Sequence, residues 1–144
     1  YTGEETAGLL KELIELSIIG HSERRKNFGE TDEMIAKKVK QATENNITPL
    51  VCVQGEATSV PEGCKLVAYE PIFAIGTGNA DTPENANLVA SKLKQNYGFD
   101  LVILYGGSVN SQNVQEFINQ ENINGVLVGG ASLDPEEFIK ICQS

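Results

Sequence analysis

One acid, one histidine and a set of glycine-bearing turns are the residues of this chain that could do chemistry together. Glu70 ends the short apolar run Leu66-Val67-Ala68-Tyr69, and Pro71 follows it at once. The next residues, Ile72-Phe73-Ala74-Ile75-Gly76-Thr77-Gly78, form an apolar loop that closes on two glycines. A carboxylate at the carboxyl end of a parallel strand stands where α/β proteins place their reacting groups. Pro71 fixes one end of the loop, and Gly76 and Gly78 leave bare N–H groups that can approach an anion. An apolar loop beside a single acid is the pattern of a lid over a general base. Standing alone, the same residues would read as an exposed acid before an ordinary turn.

Three further strand ends repeat the pattern. Ile18-Ile19-Gly20-His21-Ser22-Glu23 carries the chain's only histidine, which excludes a cluster of histidine metal ligands. Leu101-Val102-Ile103-Leu104-Tyr105-Gly106-Gly107-Ser108 ends in two glycines and a hydroxyl, and Gly125-Val126-Leu127-Val128-Gly129-Gly130 ends in two glycines. The glycine pairs read equally as tight strand-to-helix turns and as cradles for phosphate. There is no GxGxxG or P-loop, so no nucleotide is implied.

The elements that must position these residues follow from hydrophobic pattern. Leu9, Leu10, Leu13 and Ile14 predict a helix over 4–15, and Ile35, Val39 and Ala42 a helix over 32–45 with Thr31 as its N-cap. Thr82 and Pro83 open a helix over 83–97 that Gly98 stops. A short helix near 111–119 and a last one near 135–143 follow, the latter with Asp134 and Glu137 as a capping box and Leu133 with Phe138 as a staple. Strands are expected near 16–20, 48–53, 66–69, 101–105 and 125–129. They are continuous apolar runs, as in a parallel sheet covered on both faces. The crossover over 54–65 is too short for a helix, and Pro61 and Gly63 favour irregular structure there.

Composition narrows the function. A chain of 144 residues is one domain, short for a closed eight-stranded barrel, which takes at least about 200. Its net charge of −9, with no basic stripe, argues against a nucleic-acid partner. Arg24, Arg25 and Lys26, the densest basic cluster, are flanked by Glu23 and Glu30 and read as ion-pair partners. No apolar run approaches a membrane span. Three cysteines without metal-ligand spacing, and no signal peptide, suit a reducing cytoplasm; Cys52 reads as a small core residue. The chain begins at Tyr1 without methionine, a hint that something precedes it.

Taken in order, 1–4, 20–25, 28–32, 68–78, 105–109 and 128–133 resemble the triosephosphate isomerases. The resemblance implies a (β/α)8 barrel fold, here an incomplete α/β barrel of five parallel strands, the fourth to eighth, with the helix between the second and third of these missing. It implies a cofactor-free, metal-free isomerisation of a small phosphorylated triose. Glu70 matches the family's general base, His21 its electrophile and Glu23 an acidic neighbour that organises the site. Glu23 also reads as an ion-pair partner for Arg24 or Arg25. Gly76, Ser108, Gly129 and Gly130 match the phosphate set. Pro71, Phe73, Ile75, Tyr105 and Leu127 match the lid and its clamp, Phe73 standing where the family usually has tryptophan. The loop 1–4 resembles a dimer-docking loop, which implies a homo-oligomer, or a complex with the missing amino-terminal strands. The family's Asn-x-Lys motif, whose lysine touches substrate, has no counterpart in these 144 residues. Hence the alternative of a non-catalytic phosphate-binding or structural remnant stays open.

Overall fold

Five strands pair side by side in chain order, every pair parallel. The computed structural model describes residues 4–76 and 78–144. The strands are β1 (Leu16–Ile19), β2 (Thr48–Val53), β3 (Leu66–Tyr69), β4 (Val102–Tyr105) and β5 (Gly125–Val126). The helices are α1 (Ala7–Leu10), α2 (Ser22–Phe28), α3 (Asp32–Glu44), α4 (Pro83–Tyr97), α5 (Val114–Ile118) and α6 (Pro135–Cys142). Of the expected lid and docking loop, Thr77, Tyr1, Thr2 and Gly3 lie outside the described residues. No helix among the described residues is long and apolar enough to cross a membrane.

Alternation along each strand divides the apolar side chains between two faces. Val51, Val53, Val67, Tyr69, Ile103 and Tyr105 join the main core, with Ile35 and Val39 of α3, Ala86, Ala90 and Leu93 of α4, and Phe117 of α5. The opposite face carries a smaller cluster of Leu50, Cys52 and Ala68, with Leu66, Leu104 and Leu127 against it. This second face is incompletely covered. Ile18, in register with Leu50, is 49 % exposed, and Val102, in register with Leu66, is 40 % exposed. Fully burying such side chains is worth about 1.5–3 kcal/mol each. The five strands thus form an open portion of a barrel.

The helix starts follow their caps. Thr31 accepts from Met34 N and Thr82 from Asn85 N. Asp134 accepts from Glu136 N and Glu137 N. Four expectations need correction. The helix predicted over 4–15 is reduced to one turn, because only Ala7, Leu10 and Ile14 reach the core while Leu9 and Leu13 face outward. A short helix without an apolar partner for its second stripe is marginal. The strand predicted over 125–129 pairs only at its start, since β5 is the edge of the sheet. The Leu133–Phe138 staple is not buried, Leu133 being exposed. The capping box is half formed, because the Glu137 carboxylate turns elsewhere.

The crossover over 54–65 contains turns only, with Val60 and Cys64 buried in place of a helix face. An unexpected helix, α2, begins directly at the histidine. Its signals are present in the sequence: Glu23 in the first turn, Arg25 and Lys26 in the last, and Gly29 behind it at φ 66°.

Candidate active site

The carboxyl ends of β1, β3, β4 and β5 open onto one cleft of about 420 Å3. His21, Glu70, Ile75, Gly76, Ser108, Leu127, Gly129 and Gly130 all line it. A slightly larger cleft, about 480 Å3, runs beside Ser17–Gly20 at the outer edge of β1. It is walled by Glu4, Arg24, Glu30 and Lys38 and has no imidazole, so the first cleft is the site with chemistry.

Glu70 is held at the end of β3. Its N–H donates to Val53 O at 2.7 Å, and the next strand fixes the residue before it, Gly106 N donating to Tyr69 O at 2.8 Å. Its side chain is 2 % exposed. Ser22 N donates to Oε2 at 3.2 Å, and His21 Nε2 lies 3.4 Å from Oε1. The Cys52 thiol also faces this carboxylate. Burial pushes the Glu70 carboxyl above the ordinary carboxylate range, and the contacts with Cys52, His21, Ser22 and Arg25 offset that only in part. Burial, then the Glu70 charge, pushes the Cys52 thiol far up in turn, so it stays protonated.

His21 is the N-cap of α2 and accepts from Glu23 N at Nδ1, 3.3 Å away. That bond occupies the Nδ1 lone pair and leaves the neutral ring's proton on Nε2, the nitrogen facing Glu70. Arg25 fastens the turn from behind. Its guanidinium donates to Gly20 O, Cys52 O and Asp32. Glu23 itself is exposed and outside the cleft; its N–H holds the imidazole, and its carboxylate pairs with neither arginine. Arg24 instead pairs with Glu4 and Glu30, and Lys38 joins the same two acids.

The loop that follows Glu70 is held near Ala74 and again at Asp81. Pro71 is buried behind Glu70, and Ser108 Oγ donates to Ala74 O at 2.6 Å. Phe73 is 61 % exposed. At the far end Tyr105 Oη accepts from Asp81 N at 2.8 Å, while Tyr105 stacks on Phe117 at 3.9 Å. The Asp81 carboxylate, nearly buried, accepts from Tyr69 Oη, Thr82 N and Asn85 Nδ2. Sequence reading missed Asp81, Arg25 and the contact of Cys52 with Glu70, because each acts through partners distant in the chain.

Two glycines are required by close approach. A Cβ on Gly106 would lie 2.9 Å from Glu70 Cγ, and one on Gly107 would lie 2.1 Å from Tyr105 Oη. Tyr105 is fully buried and cannot yield. We expect Gly107→Ala to lower stability by about 1–3 kcal/mol, read as a fall in melting temperature. A melting temperature equal to the parent's would show that this turn is looser than described.

Comparison with known proteins completes the picture. The family model described as triosephosphate isomerase matches residues 1–65 and 58–144, which together span the chain. The chain belongs to the triosephosphate isomerase family. It is 45 % identical over 163 aligned positions to the triosephosphate isomerase of Mesomycoplasma hyorhinis, covering 98 % of this chain and 67 % of the relative. It is 42 % identical over 171 positions to that of Dehalococcoides mccartyi, covering 99 % and 68 %. The triosephosphate isomerase of Mesomycoplasma hyopneumoniae is 41 % identical over 162 positions, 98 % and 67 %. The alignments are longer than the 144 residues of this chain, so these isomerases carry a segment that it lacks. The family match breaks into two pieces at 58–65, within the short crossover before β3.

Proposed function

We propose that this chain interconverts dihydroxyacetone phosphate and glyceraldehyde 3-phosphate by proton transfer through an enediol. The observation that carries the reading is the Glu70–His21 pair, 3.4 Å apart, at a cleft walled by glycine turns. The roles are those established for this enzyme class. Glu70 takes the proton from the carbon next to the carbonyl and returns it to the neighbouring carbon. His21 Nε2–H faces the oxygen on which charge develops. The N–H groups of Gly76, Ser108, Gly129 and Gly130 grip the phosphate. Ile75 and Leu127 exclude water from the carboxylate, with Pro71 and Phe73 as the lid's hinge and Tyr105 as its latch. Glu23 keeps the imidazole in place. No cofactor or metal enters the reaction.

The Glu70 oxygens are engaged by Ser22 N and His21. Substrate must draw the carboxylate away from both, which desolvates it further and strengthens it as a base. The 144 residues contain no Asn-x-Lys, so full turnover needs that lysine from elsewhere. This lack is also what favours the second reading, a phosphate-binding remnant without activity. A coupled isomerase assay of the chain mixed with a polypeptide that carries the Asn-x-Lys strands, with Glu70→Gln as control, separates the two.

The partner follows from the open sheet. β1 and β5 each expose a strand edge, and such edges pair with other chains. We propose a homo-oligomer or a complex with the missing strands, in the cytoplasm, where the three free thiols stay reduced. Light scattering at micromolar concentration should give a mass above the 15.5 kDa of one chain. A monodisperse monomer would oppose this.

A further inference from the structure

The turns 106–110 and 127–131 face each other across the cleft but follow different strands. An anion gripped by both needs their spacing fixed. Direct ladder bonds between them end at Leu127 N, which donates to Tyr105 O at 2.8 Å. Beyond that point, among the described residues, apolar packing of Val109, Val128 and Ala131 in one cluster is joined by hydrogen bonds to one carboxylate. Glu137, in the first turn of α6, accepts from Ser111 N at 2.6 Å on Oε1 and from Ser111 Oγ at 2.9 Å on Oε2. On one side, α6 follows the turn Gly130–Leu133 through its cap Asp134. On the other, Ser111 continues a turn in which Asn110 and Asn113 bond each other reciprocally and Asn113 Nδ2 donates to Ser108 O at 3.0 Å.

We infer that Glu137 is a positioning residue that sets the spacing of the two phosphate-gripping turns. The inference rests on the phosphate reading of those turns given above. The bonds from Ser111 hold the Glu137 carboxyl below the ordinary carboxylate range. One oxygen accepts from a backbone N–H and the other from a hydroxyl; since a hydroxyl also accepts, glutamine can keep both contacts, whereas alanine keeps neither. The sign of the effect separates positioning from bulk charge. Removing a negative charge near an anion site should tighten anion binding if field alone matters. Loosening the brace should weaken it.

The test uses the whole chain with Glu137→Ala, the charge-matched Glu136→Ala at an exposed neighbour, and Ser111→Ala. Amide hydrogen exchange of Asn110 and Ser111 reads the brace directly, and calorimetric titration with 2-phosphoglycolate reads its consequence. Glu137→Ala should speed exchange at both amides and weaken 2-phosphoglycolate about tenfold. Glu136→Ala should leave exchange unchanged and binding equal or slightly tighter. Ser111→Ala, which removes only the hydroxyl, should weaken binding less than Glu137→Ala and add nothing on top of it. Unchanged exchange in Glu137→Ala, or 2-phosphoglycolate binding as tight as in Glu136→Ala, would overturn the inference. If Glu137→Ala does not fold, unchanged exchange and binding in Ser111→Ala overturns it instead. A parent chain that takes up no 2-phosphoglycolate sinks the phosphate reading, while the exchange measurement still decides whether the brace exists.

Discussion

Glu70→Asp is expected to lower turnover about a hundredfold, in the assembly that supplies the lysine, while 2-phosphoglycolate affinity changes far less. The substitution withdraws the carboxylate by one methylene from the substrate. The backbone cannot follow to make up the distance, because Val53 O holds the Glu70 N–H and Gly106 packs against Cγ. Glu70→Gln should abolish turnover and also change the pH dependence of stability. Burial keeps the folded pKa above the ordinary 4.5. Between the two values the folded chain binds a proton that the unfolded chain has released. Stability is therefore full below about 4.5 and falls as pH rises through the folded value. The amide removes that loss, so the variant should gain on the parent on going from pH 4 to pH 7. Chemical denaturation at the two pH values measures it. Unchanged turnover in Glu70→Asp would remove this residue from the mechanism.

The second large effect is a separation of binding from catalysis in the chain alone. Gly76, Ser108, Gly129 and Gly130 all line the described cleft, whereas the lysine that touches substrate is not among these residues. Losing a preorganised charge at a transition state costs about 3–4 kcal/mol, roughly several hundredfold in rate. The exposed inner side chains Ile18 and Val102 add a looser frame. The chain alone should bind inorganic phosphate and 2-phosphoglycolate weakly and isomerise triose phosphate very poorly. Calorimetry beside a coupled assay checks both halves. Turnover close to that of a complete enzyme would mean that another group replaces the lysine.

What could be read in the sequence was local or periodic. Thr31, Thr82 and Asp134 announce their helices by cap chemistry, and all three caps form. The unbroken apolar strands announce a parallel sheet, but not that its second face is only partly covered, with Ile18 and Val102 exposed. Gly20-His21-Ser22-Glu23 and the run from Glu70 to Gly78 announce the paired groups because each motif is contiguous. What could not be read depends on contacts between distant segments. The helix over 4–15 shrinks because nothing covers Leu9 and Leu13, a fact of packing rather than of pattern. Asp81 looks like any loop acid until Tyr69 and Asn85 are seen to converge on it. Cys52 is a small core residue by pattern, and its contact with Glu70 exists only because β2 and β3 are neighbours. Glu137 fits a capping box by spacing, yet its carboxylate reaches Ser111, 26 residues away in sequence.

The most direct test of the site is a coupled isomerase assay on the chain mixed with a polypeptide that carries the family's Asn-x-Lys strands. Activity should be near background for either part alone. It should rise at least about a hundredfold on mixing, and vanish when Glu70→Gln replaces the parent chain. A mixture that stays at background, although light scattering shows the two parts bound, would contradict the assignment of base and phosphate grip to this chain. So would activity that survives Glu70→Gln.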